Sequence, residues 1–163
     1  MRQILPLMML VAGLAVLAPT APAVAKPSPQ LMQRLLYHPD TGKRAYLGEH
    51  FLSLTDLRQF YEAGNYQPVW TQERLIQLRY AFMAARQAGL DPSAYHYNAL
   101  AREYSNDNEM AIELLATDAW LALARDLGGT DAGLDATLYL GNALKTDRVY
   151  PAMLDLVAFY SAP

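Results

Sequence analysis

From Ser53 to Tyr160 apolar residues recur at three- and four-residue intervals, and polar breaks divide them into runs, the pattern of successive amphipathic helices. Leu54, Leu57, Phe60 and Tyr61 predict a first helix over about 54–63. Ser53 or Thr55 is placed to cap its orphan amides, Asp56 puts negative charge in its first turn, and Gly64-Asn65 tolerates the left-handed backbone that ends a helix. A longer helix follows, from a Thr71 cap to about Ala88. Leu75, Leu78, Phe82 and Ala85 form one stripe, which Ile76, Tyr80 and Met83 widen, while Arg74, Arg79 and Arg86 lie largely off it. A stripe that wide places the helix in a domain interior.

Gly89 followed by Leu90 reads as a glycine C-cap with its apolar contact. Asp91-Pro92 reads as the cap and first residue of a third helix, reaching about Glu103. Glu109 to Leu127 is the most strongly helical run, with Ile112, Leu115, Ala119, Leu123 and Leu127 on one face, Trp120 beside it and Gly128-Gly129 as the stop. Asp118 and Asp126 interrupt its apolar surface, and a buried carboxylate there needs a partner such as an arginine or a helix N-terminus. Leu134 to Leu144 reads as a helix or an irregular crossing, and Pro151, Met153, Leu154, Leu156, Val157 and Tyr160 as a final helix.

With no strand series and no internal repeat, the expected fold class is all-α, a single compact domain of about five helices. The stretch Phe60–Ala99, with its Tyr66-Gln67-Pro68-Val69-Trp70 loop and its Gly89-Leu90-Asp91-Pro92 joint, is expected to organise the rest.

The N-terminal residues follow a different pattern. Arg2, the apolar run Ile4 to Leu17 and the small-x-small sequence Ala23-Val24-Ala25 read as a signal peptide over residues 1–25, cleaved after Ala25. The apolar run is short of the roughly 20 residues a spanning helix needs, so no membrane span is expected in the mature chain. The expected division is then 1–25 signal peptide, 26–52 mobile or irregular segment, 53–129 helical domain and 130–163 helical extension packed on it. In the second of these, two prolines lie within 26–32, Pro39 to Gly42 has a turn signature, and Ala45-Tyr46-Leu47 reads as a short extended piece.

Composition narrows the chemistry. Removing residues 1–25 from the 163 takes the formal charge from −3 to −4, which argues against a nucleic-acid partner and against strong attraction to an anionic polymer. Cysteine is absent, so the chain has no disulfide, no thiol nucleophile and no anchor point for a lipoprotein. His38, His50 and His96 are dispersed, which gives no metal site, and no cofactor is expected. His96 reads as a hydrogen-bonded structural histidine. Glu103, Glu109, Glu113, Asp118 and Asp126 are the acids a glycan-cleaving enzyme would draw on, but none sits in a catalytic context.

Three ordered blocks carry a family likeness: Leu57-x-x-Phe60-Tyr61-x-x-Gly64-x-Tyr66-x-Pro68-Val69-Trp70, then Ala88-Gly89-Leu90-Asp91-Pro92-x-x-Tyr95-His96, then Thr117-Asp118-Ala119-Trp120-Leu121-x-Leu123-Ala124-Arg125-Asp126-Leu127. Over roughly Ser53 to Gly129 the chain resembles the helical scaffold domain of large periplasmic L,D-transpeptidases, enzymes that cross-link peptidoglycan stem peptides. Past Gly129 the likeness fades, since Gly129-Thr130-Asp131-Ala132 stands where such proteins have a Gly-basic-x-Asp-Pro sequence. The resemblance implies an exported, periplasmic protein. Such enzymes attack through a cysteine thiolate, and with no cysteine present the catalytic role has no residue to fall on. Two readings follow. One is a non-catalytic scaffold or adaptor that contacts an envelope peptidoglycan enzyme or another copy of itself. The other is a peptidoglycan-binding module presenting aromatic faces, for which Tyr66, Trp70, Tyr95 and Tyr97 are the candidate contact residues, set against the ordinary role of such rings in packing a loop to the core.

Overall fold

The computed structural model describes residues 26–43, 45–128 and 134–161. The expected signal peptide and the Gly129 to Ala132 segment lie outside the described residues. Seven α-helices occur among those described: α1 (Pro29–Leu36), α2 (Leu54–Ala63), α3 (Gln72–Gln87), α4 (Tyr97–Ser105), α5 (Glu109–Gly128), α6 (Ala136–Lys145) and α7 (Val149–Tyr160), with a 3-10 turn at Pro92–Tyr95 before α4. The all-helical class holds. An isolated bridge joins Tyr46 and Glu49.

The organising element is α5, not the Phe60–Ala99 stretch. Every residue from Met110 to Ala124 is buried. A helix apolar on nearly all sides is stable only when it is surrounded, and α2, α3, α4, α6, α7 and the 3-10 turn all pack on α5. Its single expected apolar face is therefore a full circumference. Trp120 is the largest of the fully buried side chains in the core.

Three local expectations are corrected. Residues 29–36, assigned to an irregular segment, form α1, because the Ser28 hydroxyl caps the Leu31 amide and Pro29 stands at the first helical position. Met32 and Leu36 are fully buried in the common core. The continuous third helix from Pro92 to Glu103 is divided, because His96 takes a left-handed backbone (φ 60°) between the 3-10 turn and α4. On α3 the buried residues are Leu78, Ala81, Phe82, Ala84 and Ala85. Ile76, Tyr80 and Met83, expected to widen the interior stripe, are 49%, 56% and 37% exposed. They fall on the side of α3 turned away from Leu78 and Phe82, as the 3.6-residue repeat requires.

The caps elsewhere follow the sequence. Thr71 accepts from the Arg74 amide and starts α3. Gly89 (φ 94°) ends the turn after it, with the Leu90 amide donating back to the Ala85 carbonyl at 3.0 Å. Asp91 accepts from the Ser93 amide. Asp135 caps α6 through the Thr137 and Leu138 amides, and Pro151 sits in the first turn of α7. The exception is Ser53, which holds the N-cap position of α2 without a side-chain bond. Its hydroxyl is buried and has no hydrogen-bond partner among the described residues.

Candidate functional site

In a helix as enclosed as α5, each polar side chain must find a partner inside the protein. Glu113, Thr117 and Asp118 are all buried, and each reaches for a loop. Glu113 Oε1 accepts from the Val69 amide at 2.7 Å and Oε2 from the Trp70 amide at 3.1 Å. The Tyr61 hydroxyl donates to Oε1 at 2.8 Å and lies 2.7 Å from Thr117 Oγ1. The Trp70 indole N–H donates to Thr117 Oγ1 at 2.8 Å. One turn of α5 thus fastens the Val69–Trp70 end of the α2–α3 loop. Burial pushes the Glu113 carboxyl up, while the two amides, Tyr61 and the charge of Arg74 pull it back, leaving it above the usual carboxylate value.

Arg74 secures the same loop from outside. Its guanidinium donates to the Val69 carbonyl at 2.6 Å and the Leu144 carbonyl at 2.9 Å, and pairs with Asp147 at 3.1 Å. The loop is thereby tied to the turn between α6 and α7.

The neighbouring residue on α5 holds a second segment. Asp118 accepts from the Leu52 amide at 2.7 Å and the Ser53 amide at 2.8 Å, directly ahead of α2, and its Oδ2 lies 2.8 Å from His96 Nε2. His96 Nδ1 lies 3.0 Å from Glu49 Oε2. The partner expected for a buried Asp118 is therefore a helix N-terminus, joined by a histidine. The other acids are similarly engaged. Asp126 accepts from the Tyr95 hydroxyl at 2.7 Å, and buried Glu103 accepts from Arg102 and Asn108. A general acid needs a face open to substrate, and the buried carboxylates of α5 have theirs occupied by backbone amides, a phenol and an imidazole.

The four candidate aromatic residues do not converge. Tyr66 is half-buried in a left-handed conformation (φ 56°), edge-on to Tyr37 at 6.5 Å. Trp70 is half-buried through its bond to Thr117. Tyr95 is buried against Asp126, and Tyr97 packs edge-on to Phe82 at 5.3 Å. Trp70 and Tyr97 border adjoining depressions that share Gln72, Leu75, Tyr104 and Ile112, whereas Tyr66 borders a separate one with Tyr37.

The surface that stands out is one the sequence placed indoors. Between α3 and α4 runs an apolar groove of about 310 Å³, floored by Leu75, Phe82, Leu100 and Ile112 and bordered by Ile76 and Tyr104. Tyr80 and Met83 continue the exposed apolar face along α3. Among the described residues no group of histidine and carboxylate side chains could hold a metal ion. The signal that would have found the polar core is the spacing of Glu113, Thr117 and Asp118 inside an otherwise apolar run. Glu49 carried no such signal, since its segment has no periodicity.

Comparison with known proteins gives one positive finding. A family model described as "Scaffold domain" matches residues 55–159. The match runs from the start of α2 to the end of α7, and so passes well beyond Gly129, where the likeness in sequence was expected to stop. No curated protein and no solved structure matches the chain.

Proposed function

The chain belongs to the Scaffold domain family, and from that premise we propose that it is an exported, periplasmic, non-catalytic scaffold of the cell envelope that acts by contact with a peptidoglycan enzyme of the L,D-transpeptidase kind. The matching model is described as a scaffold domain, which is consistent with that reading, and the sequence offers no cysteine for the thiolate chemistry of such enzymes. Among the described residues no helix is long and apolar enough to cross a membrane.

The observation that carries this reading is the exposed apolar face of α3. Ile76, Tyr80 and Met83 are large side chains beside an apolar groove, on a helix whose other side is firmly packed. Contiguous apolar surface with an aromatic at its centre is the usual chemistry of a protein interface. The buried polar bonds of α5 supply the complementary property, a rigid frame that presents this face in one geometry.

Tagged protein recovered from an envelope fraction is expected to bring with it a transpeptidase that has a catalytic cysteine. The double substitution Ile76→Asp, Tyr80→Asp is expected to abolish that recovery while leaving the circular dichroism spectrum unchanged, because both side chains are exposed. Retention on purified peptidoglycan sacculi, with no envelope enzyme recovered, would instead count against the scaffold reading.

A further inference from the structure

Residues 45–53 form a strap that crosses α5 ahead of α2. Its first part is a tight turn in which Leu47 (φ 52°) and Gly48 (φ 87°) are left-handed and Tyr46 and Glu49 exchange both backbone hydrogen bonds. Its second part delivers the Leu52 and Ser53 amides to Asp118. Beneath it lies a depression of about 280 Å³ lined by Leu35, Tyr46, Phe51 and Leu114. The ring of His96 joins both parts, with one nitrogen on Glu49 and the other on Asp118.

We propose that the Glu49–His96–Asp118 arrangement is a pH-sensitive latch, in which a doubly protonated imidazole fastens the strap to α5 and loss of one ring proton lets Glu49 go and loosens the strap. The geometry requires both protons. Carboxylate oxygens only accept, so an imidazole with a carboxylate on each nitrogen satisfies both as a double donor. A neutral ring keeps one N–H. Asp118 has no exposed surface and retains it, whereas the Glu49 side chain is 30% exposed and can turn to water. The left-handed backbone of His96, unfavourable for a residue with a Cβ, is held by the same pair of bonds.

The direction of the pH effect follows. Burial opposes charge on His96, but the hydrogen bonds and charges of Asp118 and Glu49 outweigh it and hold the ring above its ordinary 6.5. A raised histidine stabilises fully below 6.5, and that contribution is lost as pH climbs through the folded-state value. The other groups facing the strap are Arg102 of α4, which donates to the Leu47 carbonyl and pairs with Glu103, and Arg125 of α5, which donates to the Leu52 carbonyl and pairs with Asp56 of α2. The Tyr46 hydroxyl, pushed up to about 12 by burial and the charge of Glu103, stays neutral over that range. His50 on the strap and His38 beside the depression are the other imidazoles nearby, so the titration must be read at His96 itself.

The test is nitrogen NMR of isotope-labelled histidine in the full chain, combined with amide exchange, through the neutral and alkaline range. His96 is expected to carry protons on both nitrogens at pH 6.5 and below, and to lose one only as the pH rises above 6.5. Across that step the Glu49, Leu52 and Ser53 amides are expected to exchange several-fold faster than their intrinsic pH dependence dictates, while the α5 amides stay protected. Glu49→Gln, a change at a partly exposed side chain, is expected to move the His96 step and the exchange step together to lower pH. Strap exchange that ignores the His96 titration would overturn the latch. So would α5 amides opening along with the strap, or an exchange step that stays in place in Glu49→Gln.

Discussion

Glu113→Ala is expected to lower the unfolding free energy by about 2–6 kcal/mol, the sum for two stranded amide donors. Removing the carboxylate strands the Val69 and Trp70 amides, and the Tyr61 hydroxyl loses one of its partners. Each unsatisfied buried donor carries about 1–3 kcal/mol. Glu113→Gln, which keeps one acceptor oxygen, should lose less. Urea unfolding followed by tryptophan fluorescence gives the comparison, since Trp70 is on the affected loop and Trp120 is in the core. A loss under about 1 kcal/mol would mean the α2–α3 loop is held by Arg74 and apolar packing alone.

Asp118→Ala has an expected effect of similar size, about 3–5 kcal/mol, for a different reason. The substitution leaves the Leu52 and Ser53 amides unpaired and takes from His96 the buried one of its two carboxylates. A double-mutant cycle separates the two parts. In a His96→Gln background the Asp118→Ala loss should be smaller, because the charge that needed Asp118 is already gone, and the remainder reports the amides. Strict additivity in that cycle would show that His96 and Asp118 are neighbours without being coupled.

Much of this fold could be read from the chain. Helix positions from α2 to α7 follow three- and four-residue periodicity, and Thr71, Gly89 and Asp91 end or begin elements where their side chains and backbone freedom require. Periodicity marks which residues share a face, yet it does not say which face acquires a neighbour. On α3 two apolar faces compete; with α5 and α7 packed on the helix, Leu78 and Phe82 are buried while Ile76 and Tyr80 stay exposed, the Tyr80 ring lying 5.6 Å from Tyr150 of α7. The same limit applies to α1, whose capping serine and proline were legible as signals but sit beside a second proline in a short segment. The break at His96 was hidden for a stronger reason. Histidine enters the left-handed region more readily than most residues with a Cβ, but no local signal marks this one, and its two carboxylate partners are distant in sequence.

The candidate site divides in the same way. Asp118 could be singled out as a carboxylate needing a partner, because a charge in an apolar run is conspicuous. Its partners could not, since Glu49 and the Leu52 and Ser53 amides reach it only through the packing of the strap. The aromatic residues of the α2–α3 loop invited a ligand reading. Their hydrogen bonds and ring contacts instead spread them over separate surroundings, with Trp70 tied to α5 and Tyr66 set against Tyr37.

The claim that α3 presents the contact face is tested most directly by a photo-cross-linking residue placed in turn at Tyr80 and at Tyr66, with irradiation in the intact envelope. The scaffold reading predicts a covalent adduct between position 80 and a cysteine-dependent transpeptidase, and none from position 66. An enzyme adduct from position 66 with none from position 80, or adducts to peptidoglycan alone, would contradict it.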